Sequence, residues 1–260
     1  MKYLKRITHL WLWVLFAGVL FAGAPVKAEA EEVDHSGEAQ IHKPASVTGD
    51  EVNDGLFVDD STDNTYGYYT IMGETTVSLS EMTSLYESQN VEYPSGALAP
   101  GGADSIDAFC EILIEEANAE GVRAEVVFAQ SMLETGWLMF RGDSKVEQYN
   151  FAGLGTTGGG VAGIYFADVR TGLRAQVQHL KAYASSEELN QACVDERFSM
   201  VQRESAPYVE WLGIQENPYG GGWAAGQNYG YKIRTILANL KGTEYIWPES
   251  SLNGDITSGN

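Results

Sequence analysis

The chain has 260 residues, 44% of them hydrophobic, which allows one domain with a sizeable core plus appended segments and leaves too little for two full domains. Its formal charge of −20 offers nothing to neutralise phosphates and argues against a nucleic-acid partner. The two cysteines, Cys110 and Cys193, cannot build a cysteine zinc cage; they allow one disulfide in an oxidising compartment or, alternatively, two buried thiols.

Residues 1–28 follow the rules of an export signal. Lys2, Lys5 and Arg6 precede an apolar run over 10–24, and Val26-Lys27-Ala28 supplies a small-residue cleavage site. The rival is a retained anchor, but the run falls short of the roughly 20 residues that span a bilayer, and Pro25 interrupts it at once. No other stretch is apolar enough to cross a membrane, so the mature chain is expected to have no transmembrane helix. Residues 29–65 are acidic, poor in large apolar side chains and without period, which predicts a disordered linker. Its acids do not have the spacing of a calcium loop.

Residues 66–103 form an N-terminal extension with one short helix over 77–87, capped by Ser78 or Ser80. The stretch "YPSGALAPGGAD" reads as a loop. From Asp104 the pattern turns helical, with Ile106, Phe109, Cys110, Leu113 and Ala117 on one face and Gly121 as the stop. A second helix spans 124–136, with Val126, Ala129, Leu133 and Trp137 inward. The Gly-rich "YNFAGLGTTGGGVAGIYFADVR" predicts an irregular loop and a short hairpin. A third helix covers 171–185, with Leu173, Val177, Leu180 and Ala184 buried. After a long aromatic loop, residues 229–240 form the closing helix, and 248–260 are a flexible tail. The sum is a mainly α fold with one small β element.

One residue on the second helix does not fit its surroundings. In "AQSMLETGWLMF", Glu134 sits among Met, Leu, Trp and Phe, three and four residues after Ser131 and Gln130. At a helix end, half-desolvated, such a carboxyl holds its proton to higher pH, the property a general acid needs to protonate a glycosidic oxygen. On the helix pattern alone, an ordinary surface Glu is the first expectation.

The downstream blocks change that balance. "AQSMLETGW", "YNFAGLG" at 149–155, "FADVRTGLRAQVQHLKAYAS" at 166–185 and "YGYKIRTIL" at 229–237 together resemble the bacterial glucosaminidases of glycoside hydrolase family 73 over 104–247. The resemblance implies a lysozyme-like α+β domain, with one small β-hairpin lobe flanking a glycan cleft. It implies hydrolysis of the β-1,4 bond between N-acetylglucosamine and N-acetylmuramic acid in peptidoglycan, with Glu134 as proton donor.

Alongside it, Gln130, Asn150 and Phe151 are candidate substrate contacts, as are the loop aromatics Tyr208, Trp211, Tyr219 and Trp223, whose faces can cover sugar C–H groups. Two departures from the family pattern stand out. The hairpin lacks the acid many members carry, leaving Asp168, Glu147 and Asp143 as candidate partners of Glu134, with Asp168 also suited to capping a helix. A tyrosine common near the last block is replaced by Trp223, so Tyr229 is the candidate for its role.

A second carboxylate could act as nucleophile or activate water. Otherwise the substrate's own 2-acetamido oxygen, or a muramic 6-hydroxyl, would attack. The expected protein is a secreted or wall-associated monomer, from a Gram-positive bacterium, needing no cofactor or metal; His9, His35 and His42 lie outside the folded part and His179 stands alone on its helix. The competing expectations are a lytic transglycosylase-like muramidase and a catalytically silent wall-binding module.

Overall fold

The structure is a computed structural model that describes residues 58–59, 67–142, 144–156 and 163–248. The expected signal sequence, nearly all of the expected linker, all of the expected tail after Pro248, Asp143 and the centre of the expected hairpin at 157–162 lie outside these residues. The described residues all belong to one unit spanning Ser46–Asn260.

The frame consists of α1 (Leu79–Ser88), α2 (Ser95–Leu98), α3 (Ile106–Glu120), α4 (Ala124–Thr135), α5 (Val169–Ala184) and α6 (Tyr229–Leu240). Two short strands, β1 (Val58–Asp59) and β2 (Tyr68–Tyr69), pair in parallel with Val58 opposite Tyr68. Among the described residues the fold is mainly α, with no barrel or large sheet, as in the lysozyme-like class. The expected hairpin is represented only by its flanks, which are irregular and joined by the Ile164 N–H donating to the Leu154 carbonyl at 2.9 Å.

Local chemistry explains where the helices start and stop. Ser78 caps α1 in a reciprocal box, accepting from the Glu81 N–H while its own N–H donates to Glu81 Oε2 at 2.6 Å. Ser105 caps α3, and Gly121 ends it in the left-handed region at φ 72°. The residues expected inward on α3 are all buried. Helix α5 begins at Val169, two residues before the expected start, because Asp168 takes the N-cap and accepts from the Thr171 N–H at 2.7 Å. The stretch read as a plain loop at 93–104 contains α2 and a 3₁₀ turn over Ala99–Gly101.

Helix α4 is the central element, packed against α3 and α6. Ten of its residues are buried, including the polar Glu125, Gln130, Ser131 and Thr135. The expectation of one apolar stripe is therefore too narrow, since a helix covered on most sides buries nearly all its faces. Around it, Ile71, Val77, Met82, Tyr86 and Leu98 from the N-terminal extension share one core with Phe109, Leu113, Phe128, Leu173 and Leu237. Glu125 anchors that extension, accepting from the Tyr69 hydroxyl at 2.9 Å and the Thr76 hydroxyl at 2.8 Å.

Helices α3 and α5 are clamped by charge. Glu116 accepts from Arg170 and Arg174, each at 2.7 Å, and the fully buried Lys181 reaches Glu120 at 3.0 Å. Neither cysteine forms a disulfide. Cys110 is buried and Cys193 exposed, so neither the disulfide nor the pair of buried thiols is found.

Candidate active site

Where α4 ends, the chain makes a sharp left-handed turn. Gly136, Trp137 and Leu138 have φ of 59°, 61° and 59° in succession, a conformation that disfavours non-glycine residues by about 1–2 kcal/mol each. Thr135 supports the turn: its hydroxyl accepts from the Leu138 N–H at 2.8 Å, and its carbonyl accepts from the Phe140 N–H at 2.8 Å. The turn sends Trp137 onto the core near Phe128 and Tyr86, and brings Phe140 round to line a cavity of about 430 Å³.

Glu134 forms part of that cavity wall with Phe140, Asn150, Gly153, Thr156 and Trp223. The residue is exposed and opens onto the cavity, while its carboxyl lies between Tyr229 and Gly153. Loss of bulk water around the carboxyl pushes its pKa above the usual Glu range, and a hydrogen bond from the Tyr229 hydroxyl to Oε1 partly opposes this. The other oxygen, Oε2, lies beside Gly153. A Cβ built on that left-handed glycine would sit 3.5 Å from it. Tyr229 is buried at the start of α6, and burial followed by the adjacent Glu134 pushes its hydroxyl well above 10, so it stays protonated.

Residues 110–242 match the glucosaminidase family, described as mannosyl-glycoprotein endo-beta-N-acetylglucosaminidase, over about half of the chain. The chain belongs to this family. A relative from Borreliella burgdorferi, described as an uncharacterized protein, is 37% identical over 135 residues, covering 52% of this chain and 63% of its own length. The aligned region thus spans less than two thirds of that relative. No solved structure matches.

Within this glucosaminidase domain, the sequence-predicted site residues separate into wall, backing and core. Asn150 is on the wall, but its side chain is engaged with the loop itself: Nδ2 donates to the Leu154 carbonyl at 2.8 Å and Oδ1 accepts from the Leu154 N–H at 2.9 Å. It holds the 150–154 turn in shape, the alternative role open to an Asn there. Trp223 is also on the wall. Its N–H donates to the Leu212 carbonyl at 2.7 Å, and its ring meets the edge of His179 at 4.7 Å between centroids. His179 is a hydrogen-bonded structural histidine, its Nδ1 lying 2.6 Å from Asp195 Oδ2.

The other five expected substrate contacts are placed elsewhere. Gln130 is fully buried and donates to the Tyr229 hydroxyl at 3.0 Å, so it backs the site without reaching the cavity. Phe151 is a core side chain, edge-on to Phe109 at 5.0 Å. Tyr208 is sandwiched between Tyr68 and Trp211, and Trp211 between Tyr208 and Tyr219. Tyr219 is 74% exposed but does not line the cavity.

Among the described residues Glu134 is the only carboxylate on the wall. Asp168 is engaged as the α5 cap, and Glu147 is exposed and does not line the cavity. Asp143 lies outside the described residues. Two contributors were not singled out from the sequence. Thr156 gives no pattern signal, but Gln176 does: it falls beside Leu173 and Val177 on the inward face of α5, and a polar side chain there requires a partner.

Proposed function

We propose that this chain is an exported peptidoglycan glycosidase that cleaves the β-1,4 bond between N-acetylglucosamine and N-acetylmuramic acid, with Glu134 as general acid. The observation carrying this is Glu134 itself, the one carboxyl among the described wall residues, with its proton affinity raised and Tyr229 bonded to one oxygen. A group poised this way donates its proton to the leaving oxygen at near-neutral pH and returns to a stabilised carboxylate. Trp223 offers an apolar face to a sugar ring on the same wall. The basic and apolar N-terminal segment provides the export that a wall substrate demands.

Among the described residues neither Asp168 nor Glu147 lines the cavity, which supports chemistry that draws its nucleophile from the substrate. Attack by the neighbouring 2-acetamido oxygen at C1, as the glycosidic C–O bond breaks and Glu134 protonates the leaving oxygen, needs one protein carboxyl. Water then opens the intermediate to a hydrolysed product.

The test is Glu134→Gln on purified cell walls. We expect clearing to fall by about 10²–10⁴-fold while wall binding persists. Equal clearing by both proteins overturns the assignment. Borohydride labelling of the new reducing ends separates glucosaminidase from muramidase action. Anhydro-muramic ends, lighter by one water, would instead mark attack by the 6-hydroxyl.

A further inference from the structure

We infer that the hydrogen-bonded side chains behind Glu134, running Ser131, Gln176, Gln130, Tyr229, have one fixed direction, and that this direction assigns the transferable proton of Glu134 to Oε2. The chain is anchored where it meets the backbone. Gln176 Nε2 donates to the Val127 carbonyl at 3.2 Å, and a carbonyl can only accept, so the nitrogen must be on that side. The same Nε2 donates to Gln130 Oε1 at 2.9 Å, while Gln176 Oε1 accepts from the Ser131 hydroxyl at 2.9 Å. Gln130 therefore turns its amide nitrogen to Tyr229, donating to the hydroxyl oxygen at 3.0 Å. With that oxygen occupied as an acceptor, the phenolic proton is left to point at Glu134 Oε1.

The consequence for the carboxyl is directional. Oε1 accepts from Tyr229 in both protonation states, so the acidic proton resides on Oε2, the oxygen beside Gly153 and away from the buried tyrosine. In turnover the Oε2–H bond breaks, its proton goes to the glycosidic oxygen, and the electron pair of the breaking C1–O bond stays with that oxygen. The carboxylate left behind already has its donor in place at Oε1. Gln176, Gln130 and Ser131 touch no substrate; they are positioning residues, all fully buried on α4 and α5. Without them Tyr229 is free to rotate and accept a proton bond from Oε1–H, which holds the proton on the side facing away from the cavity.

Among the described residues, the titratable group facing Glu134 is Tyr229 from α6, with Tyr183 of α5 behind it. The 149–156 loop and the Trp223 loop bring no charged group to the cavity wall.

The inference rests on Glu134 being the acid, but its test reads the carboxyl directly. Full-length protein carrying glutamate labelled with ¹³C at the carboxyl is titrated by NMR, with the Glu134 signal identified by its loss in Glu134→Gln. Tyr229→Phe removes the donor at Oε1 and is expected to raise the titration midpoint. Gln176→Met, close in volume and unable to donate, is expected to raise it in the same direction, to move the alkaline limb of wall clearing upward, and to lower the rate below that limb. In the Tyr229→Phe background, Gln176→Met is expected to add no further shift.

A folded Gln176→Met protein that titrates like the wild type, or a shift that adds fully to that of Tyr229→Phe, overturns the inference. Gln130→Met carries the same expectations if Gln176→Met does not fold. Should Glu134→Gln clear walls normally while these titrations hold, the catalytic assignment falls and the proton assignment stands.

Discussion

The two sides of the cavity are built on different principles. Behind Glu134 stand α4, α5 and α6, whose side chains interlock through a run of amide and hydroxyl hydrogen bonds with no solvent between them. In front, the described wall is made of loop backbone at 140–142, 144 and 150–156 and at 223–225, shaped by glycines and by side chains that bond to their own loop. A helical backing fixes geometry because every residue is held by packing and by the helix ladder at once. A loop wall is held by fewer ties, each separately breakable.

That contrast can be broken at the points where the wall is fastened to the backing. Phe151 is the strongest, since it inserts between Phe109 and Phe140. Phe151→Ala should cost about 3–5 kcal/mol in denaturant unfolding and lower clearing at temperatures where the frame persists. Gly172 on α5 is next: a Cβ there would lie 1.8 Å from the Tyr149 carbonyl. Gly172→Ala should therefore displace the start of the loop, costing about 1–3 kcal/mol, with a KM increase that a helix-only defect would not produce.

Asp168→Ala should cost about 1 kcal/mol as a lost N-cap and leave kcat/KM unchanged. A large drop in kcat would instead restore Asp168 to the chemistry. The smallest effect sharpens the comparison at Glu134 itself. A carboxyl with raised pKa gives the folded state its full proton-linked stability below the ordinary Glu range, and that stability is lost as pH rises through the raised value. Glu134→Gln does not titrate, so its melting temperature should gain on that of the wild type from acid to neutral pH. Thermal melts across that window check the sign.

The same contrast decides what could be read from the sequence. Helices α3, α5 and α6 were legible because apolar residues recur at helical spacing and caps mark their ends, as Ser105 and Gly121 do for α3. Glu134 was legible as the polar residue that did not fit its run. Gln130, expected at the substrate, stands behind the cavity wall because spacing gives the face of a helix but not what covers it, and α4 is covered almost all round. Phe151 and Tyr208, expected as substrate contacts, are buried for a related reason: an aromatic in a glycine-rich or loop segment suits a sugar platform and a core plug equally well in composition. Gln176 had a signal, a polar residue on an inward face, whose meaning depends on a partner from another helix. The hydrogen-bond direction behind Tyr229 is a property of three helices together and no single segment encodes it.

Glu134 is mounted one residue from the end of the most deeply enclosed helix. Hydrogen exchange at the amides of 126–132 should thus proceed only when the whole domain opens, whereas the loop amides exchange through local excursions. Heat should accordingly undo this protein in two separable stages, first by blurring the cavity wall, and only later, at the global melt, by dislodging Glu134.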